Sequence, residues 1–300
     1  MPSNPFSKYG RLARLMPAGS GKLFVVVPSG SAIIPELSVA FPTDEDGVVR
    51  VYTSLSSAVG AVVSNRGDVV AVMPGSYTIS TVVSSSANNW KLIGVGAPGA
   101  AMLTGSSASI LTLTGDGVEV ANMGFTIASA FKGITMTGAD FCDIHDNLFV
   151  GVDGGTASHF IHMVTTACKY NRIRDNQFIS ALATTDASVT QTSHITGLGT
   201  GNLIERNVFV AGRTSTSNAG AVTDGIIFNA AADLGNTIRQ NTFYEANGAT
   251  FTAGINSGAS AVSGSILPVR NDFLLGTAAN AIVNTTGSAG FGNNVANGTV

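Results

Sequence analysis

The sequence predicts an all-β solenoid in which each repeat forms one coil of a parallel β-helix, and three observations carry that prediction. First, one pattern, I-x-x-N-x-F, recurs as Ile144-Asn147-Phe149, Ile173-Asn176-Phe178, Ile204-Asn207-Phe209 and Ile238-Asn241-Phe243. A degenerate copy is Pro268-Asn271-Phe273, and a looser one upstream is Val120-Asn122-Phe125. Second, the asparagines at 122, 147, 176, 207, 241 and 271 are spaced 25, 29, 31, 34 and 30 residues apart. A near-constant period with variable padding marks a repeat array. Third, apolar and polar residues alternate within each copy, as in a half-buried strand. The padding is Gly, Ser, Thr and Asn, whereas helical repeats of this length need Ala, Leu, Glu and Lys at helical spacing.

Stacked coils place Ile on Ile and Phe on Phe. Asn147, Asn176, Asn207, Asn241 and Asn271 are expected to take the left-handed backbone of a tight turn and to hydrogen-bond from coil to coil. With Phe149, Phe178, Phe209, Phe243 and Phe273 they read as a structural ladder that sets register, not as a reactive site.

In chain order, residues 1–46 lie outside the repeat. Pro2, Pro5 and Pro17, with Gly10, Gly19 and Gly21, predict an extended N-terminal arm. Lys8, Tyr9, Arg11, Arg14 and Lys22 are its candidate docking residues, since a basic arm ahead of a rigid body suits an acidic partner. The alternative is a disordered tail. Lys22–Val27 and Ala32–Phe41, split by Pro28-Ser29-Gly30, predict a hairpin or strand pair. The acidic turn at 42–47 marks the boundary with the body. Val48–Tyr52 reads as a strand and Ser54–Ser64 as a short amphipathic helix, with Thr53 or Ser54 as its cap. Such a helix would close the open end of a solenoid, where core and strand edges need cover. The solenoid is placed at 47–280, about eight coils at roughly 4.8 Å each, on the order of 40 Å long. Insertions at 153–158, 184–193 and 214–219 read as loops, and 281–300 as a last coil or a tail.

The repeat resembles the coil pattern of the right-handed parallel β-helix, or pectin-lyase-like, superfamily. Gly67–Thr78, with its Pro74-Gly75-Ser76-Tyr77 turn, and Leu92–Gly96 resemble that family's first coils. The resemblance spans about residues 50–280. It implies fold far more than function, because a fold hosts many chemistries.

Composition narrows the function classes. The chain has 300 residues, 36 Gly, 11% charged residues and a formal net charge of −3. No basic surface for nucleic acid is evident, no apolar run reaches membrane-spanning length, and the N-terminus lacks the apolar core of a signal peptide. The two cysteines, Cys142 and Cys168, sit at different offsets from their asparagines and read as buried thiols, consistent with assembly in a host cytoplasm. Ala18–Lys22 resembles a phosphate loop only superficially, because Met16 and Leu23 stand where such a loop needs Gly and Ser or Thr.

Catalytic candidates are few. Two residues before each asparagine the outward row is His145, Arg174, Glu205, Arg239 and Val269. One residue before, it is Asp146, Asp175, Arg206, Gln240 and Arg270. Asp146 and Asp175, with Asp143 nearby, form the only carboxylate group that could hold a metal or act as an acid–base pair, as pectate-lyase-type or hydrolase sites require. With Arg172, Arg174 and Arg206 around them, a mixed-charge surface ladder is the competing reading. His159-x-x-His162 raises a zinc reading that lacks further ligands. No cofactor and no metal are expected.

Low charge, the basic arm and the weakness of these candidates lead to the expectation of a bacteriophage virion structural protein, a capsid decoration or head-fibre component, and not an enzyme. Its partner would be the major capsid protein or another virion protein. The resemblance implies a homotrimer. The alternatives are a tailspike-like polysaccharide lyase or hydrolase, and an adhesin that binds a host-surface glycan.

Overall fold

In the computed structural model the described residues are 12, 14–15, 20–105, 109–129, 131–154, 159–181, 190–197, 199–213, 221–228, 234–246, 249–257, 266–276, 281–283 and 294–296. Among them, three parallel sheets of ten, nine and eight strands (A, B and C) enclose one core. Each coil visits the sheets in turn: Asp143–His145 lies in A, Leu148–Gly154 in B and His159–Met163 in C. Sheet C has eight strands, one for each of the eight coils expected.

The register is the one the repeat implies. Ile144, Ile173, Ile204, Ile238 and Pro268 stack in sheet A. In sheet B, Phe125, Phe149, Phe178, Phe209, Phe243 and Phe273 form an interior column with ring centroids 4.7–4.9 Å apart. That separation matches the distance between neighbouring strands, so each ring lies flat on the next. Facing the column on sheet C, glycine recurs just before the stacked isoleucine, as in Gly133-Ile134, Gly225-Ile226 and Gly254-Ile255. A Cβ at Gly225 would lie 2.7 Å from the Phe243 ring, so only glycine leaves the ring its space.

The asparagine ladder forms, with one correction. The left-handed residue is not the asparagine but the one before it: Asp146, Asp175, Arg206, Gln240 and Arg270 have φ of 53–56°. The asparagine follows, fully buried. Asn207 shows the bonding: its Oδ1 accepts from the N–H and the Nδ2 of Asn176, and its Nδ2 donates to Ile173 O and Asn241 Oδ1. The side chain thus satisfies corner groups that the strands leave unpaired. The ladder runs 147–176–207–241–271 and ends on Asn294. Asn122 is not part of it. It takes the left-handed position, and Met123 occupies the ladder site, donating its N–H to Asn147 Oδ1.

A second ladder lines the corner between sheets C and A. Asn171 N donates to Asn202 Oδ1, and Asn202 N to Asn236 Oδ1. Cys142 holds the equivalent place one coil earlier and donates its N–H to Asn171 Oδ1. Cys142 and Cys168 are both free and buried. Burial pushes the Cys142 thiol up to about 12.

The N-terminal segment differs most from expectation. β1 (Leu23–Val26) is hydrogen-bonded in sheet A between β2 (Val51–Tyr52) and β3 (Val69–Val72). Where a second strand was expected, α1 (Ile34–Ala40) forms. Pro35 in its first turn favours a helix start, because the missing N–H is not needed there. Leu12, Leu37 and Phe41 bury against Val25, Ala71, Ile93 and Ala121, covering the outer face of the first strands of sheet A. The segment from Leu23 is therefore part of the body rather than an arm. Lys8, Tyr9 and Arg11 lie outside the described residues.

The end cap forms but is shorter than the expected 54–64, ending at Gly60 and leaving Val63 exposed. α2 (Leu55–Gly60) is capped by Ser54 Oγ, which accepts from Ser57 N, and it buries Leu55, Ala58 and Val59 against Phe24 and Val26. Of the expected loops, 155–158, 184–189 and 214–219 fall outside the described residues. Asp153 and Gly154 instead end a strand of sheet B, and Thr190–Ser193 begin one of sheet C. In the last segment, Ile282–Val283 adds a strand to sheet C and Val295–Ala296 one to sheet B, so the coils continue past residue 280.

Candidate functional site: the charged face of sheet A

Sheet A turns one side chain out on each side of its buried isoleucine, and a third points out at the left-handed corner. Beyond the part covered by α1, these positions carry a continuous run of charged residues from Lys91 to Arg270. Lys91 Nζ lies 2.6 Å from Glu119 Oε2. His145 bridges Glu119 (Nε2–Oε1 3.3 Å) and Asp146 (Nδ1–Oδ2 2.7 Å). Arg174 forks onto Asp143 (Nε–Oδ1 3.0 Å, Nη2–Oδ2 2.8 Å) and reaches Asp175 at 3.3 Å. Arg206 forks onto Asp175 with both contacts at 2.8 Å. Glu205, wholly buried, receives Arg172 and Arg206 on Oε1 and Arg239 on Oε2.

Register explains the pairing. Asp143 stacks on Arg172, and His145 on Arg174, which stacks on Glu205 and then Arg239. Opposite charges on adjacent coils sit one strand spacing apart, and the long arginines reach diagonally. The bidentate geometry is the strong form of the interaction.

The electrostatics follow. Hydrogen bonds from Arg206, then Arg174, hold Asp175 below the usual carboxylate range. Glu119 is held at about 2 by His145 and Lys91. Burial opposes ionisation of Glu205, but its arginines outweigh it and hold the group at about 2. Burial works against protonation of His145, and Glu119 and Asp146 overcome it, raising its affinity for a proton. A general acid at neutral pH needs a raised carboxyl pKa. Asp175, Glu119 and Glu205 are shifted the other way, and Asp143 and Asp175 share Arg174. The structure therefore brings Asp143, Asp146 and Asp175 to one face but ties Asp143 and Asp175 to arginines and Asp146 to His145.

Neither a protein-family model nor a curated protein matches the sequence. Solved structures match in shape. The pectin methylesterase of Aspergillus niger superposes with a TM-score of 0.57 at 12% identity, over 94% of this chain and 88% of that one. A pectin methylesterase mutant in complex with a hexasaccharide gives 0.56 at 13%, over 88% and 81%. Escherichia coli ybhc gives 0.54 at 13%, over 85% and 72%. The fold is the right-handed parallel β-helix. At these identities the likeness is one of fold.

Elsewhere on the β-helix, His159 and His162 do come together, with ring centroids 5.0 Å apart. His159 Nδ1 lies 2.8 Å from Ser193 Oγ. Burial lowers the two imidazoles to about 3 and about 4, so both are neutral. Among the described residues no group of three His, Cys, Asp or Glu is placed to hold a metal. Of the docking candidates, Arg14 is exposed, while Lys22 is engaged by Asp44 and Asp46. Between α2 and the strand Gly75–Ile79 lies an open groove of about 680 Å³ lined by Ser29, Thr53, Ser56, Ser76, Thr78 and Ser80, among others.

Sequence reasoning missed the second ladder, although its signal was present. Asn171, Asn202 and Asn236 each stand five residues before a ladder asparagine, making the full motif N-x-I-x-x-N-x-F. It also missed two buried polar residues. His194 is wholly enclosed, stacked on Phe160 and Phe209. Asp224 is raised to about 6 by burial, with Asn256 donating to its Oδ1.

Proposed function

We propose that the chain is a structural component of a virus particle, of the capsid-decoration or head-fibre kind, docked to the major capsid protein or another virion protein. The observation that supports this reading best is the sheet A ladder. Asp143 and Asp175 serve as counter-ions for arginines and Asp146 is taken up by His145, so each of the three candidate carboxylates is already engaged within the ladder. Docking would fall to the N-terminal region, where Arg14 is exposed.

The test is the copy number per purified particle of the source virus, by quantitative mass spectrometry against the major capsid protein. Hundreds of copies fit capsid decoration, and a few to some tens fit a tail or vertex appendage. Absence from the particle would overturn the reading.

A second reading is a protein that binds or cleaves a polysaccharide. The hydroxyl-lined groove beside α2 favours it, since uncharged hydroxyls suit sugar recognition. The superposed pectin methylesterases make the same class worth assaying. Turnover of a capsular or cell-wall glycan that Asp143→Ala, Asp146→Ala and Asp175→Ala all abolish would move catalysis back to the sheet A face. Turnover unaffected by all three would place it elsewhere.

A further inference from the structure

The outer face of sheet B is the chemical opposite of that of sheet A. Its strands turn out two rows of residues. One reads Met102, Gly124, Leu148, Gln177, Val208, Thr242 and Asp272; the other reads Thr104, Thr126, Val150, Ile179, Val210, Tyr244 and Leu274. From Met102 to Tyr244 neither row carries a charge, and Asp272 is the single charged position, at the far end. Three of the apolar members are open to solvent, Val208 at 39%, Tyr244 at 46% and Leu274 at 43%, and Met102, Leu148, Val150, Ile179 and Val210 are half-buried. The inner face of the same strands is already filled by the phenylalanine column, so these side chains have no core to join.

We infer that this face is where the chain binds a second copy of itself. Seven coils at about 4.8 Å, by two rows and their flanks at about 13 Å, give a flat footprint of roughly 400 Å² per copy. Two such faces packed about 10 Å apart, as sheets pack in sandwiches, enclose about 800 Å² even before the relief of the side chains is counted. That lies below the roughly 1,200 Å² of stable specific interfaces, in the range of transient ones, so association is weak and depends on concentration. A copy is the partner the pattern fits. The face is flat, uncharged and repeats at one spacing, so it is complementary to itself across a symmetry axis. A charged partner would find almost no complement in these two rows, whose one charge is Asp272. Self-association is independent of whether the chain is a virion component or acts on a polysaccharide.

The experiment is light scattering coupled to size exclusion on the full chain, loaded at about 1 to 100 µM, a range that brackets a weak interface. The expected result is a mass that rises with concentration to a whole multiple of the 30.4 kDa chain. Val210→Glu and the milder Tyr244→Ser, both outward-facing, should hold the mass at one chain with circular dichroism and melting unchanged. Val39→Glu, on the exposed side of α1, should not change it. A monomer across the whole range, or oligomers that survive both sheet B variants, would overturn the inference.

Discussion

At the scale of single residues, side chains that look equally polar in the sequence do opposite work. Asn207 and Asp175 sit near the same corner, one facing in and one facing out. Removing the Asn207 side chain leaves the buried N–H of Asn176 and the carbonyl of Ile173 unpaired, at about 1–3 kcal/mol for each orphaned group. Asn207→Ala should therefore destabilise by about 3 kcal/mol or more, whereas Asp175→Ala, at a solvent-facing ion pair, should cost about 1 kcal/mol or less. Urea denaturation compares the two, and equal losses would refute the ladder's role. His194 predicts a pH effect. Buried among rings, it is lowered to about 3. As pH falls below 6.5 the unfolded chain takes up its proton first, so folded-state stability is lost between about pH 6.5 and 3. Relative to wild type, His194→Phe should spare about 2 kcal/mol of the loss between pH 7.5 and 5. Parallel pH profiles would show that His194 is not the titrating group. Asp224 has the opposite sign. Its folded value of about 6 exceeds the usual 3.8, so its contribution is present below 3.8 and lost as pH rises through 6. Asp224→Asn should gain on wild type by about 2–3 kcal/mol between pH 4 and 7, read as melting temperature.

At the scale of elements, both ladders and the ring column are products of register. A parallel pair aligns equal offsets, so an asparagine at a fixed offset meets its own kind in every coil and its amide bonds repeat. The sheet A charges obey the same rule with alternating sign. Glu205 is the keystone of that row, because its carboxylate is wholly buried beneath three guanidinium groups. Glu205→Gln removes the charge and keeps the shape. It should destabilise by about 1–3 kcal/mol, because a buried amide cannot accept from all three half-exposed guanidinium groups as the carboxylate does and keeps N–H donors that face them unpaired. A melting temperature within a degree or two of wild type would mean that the arginines simply turn to solvent. The N-terminal elements show where local pattern failed. The run at 32–41 is as apolar as a strand, and what settles it as helix is the packing of Leu37 and Phe41 onto the outer face of sheet A.

At the scale of the whole molecule, a solenoid is nearly one-dimensional: each coil touches only its neighbours, so stability is highest where neighbours lie on both sides. Native-state hydrogen exchange should therefore be slowest at the ladder amides of Asn147, Asn176 and Asn207, and faster toward Asn271. A flat profile along the ladder would mean that the coils unfold as one cooperative block. The surface divides by chemistry. Sheet A is ionic and internally paired beyond the strands that α1 covers, the outward rows of sheet B are nearly uncharged, and α2 caps the N-terminal end of the core.

The sequence by itself determined the architecture. A fixed-offset Ile, Asn and Phe in every coil specifies strand, corner and core stack at once, because the parallel register turns sequence period directly into spatial neighbours. The end-capping helix was equally legible, since Ser54 and the Leu55–Val59 face are local signals. What only the tertiary structure decided lies between elements. Leu12 and α1 bury against the outer face of sheet A because that face begins apolar. The left-handed residue precedes the asparagine because the amide has to reach inward to the next coil. Asp143 and Asp175 are paired because arginines from adjacent coils reach diagonally to them, a distance set by strand spacing and invisible in the order of residues along the chain.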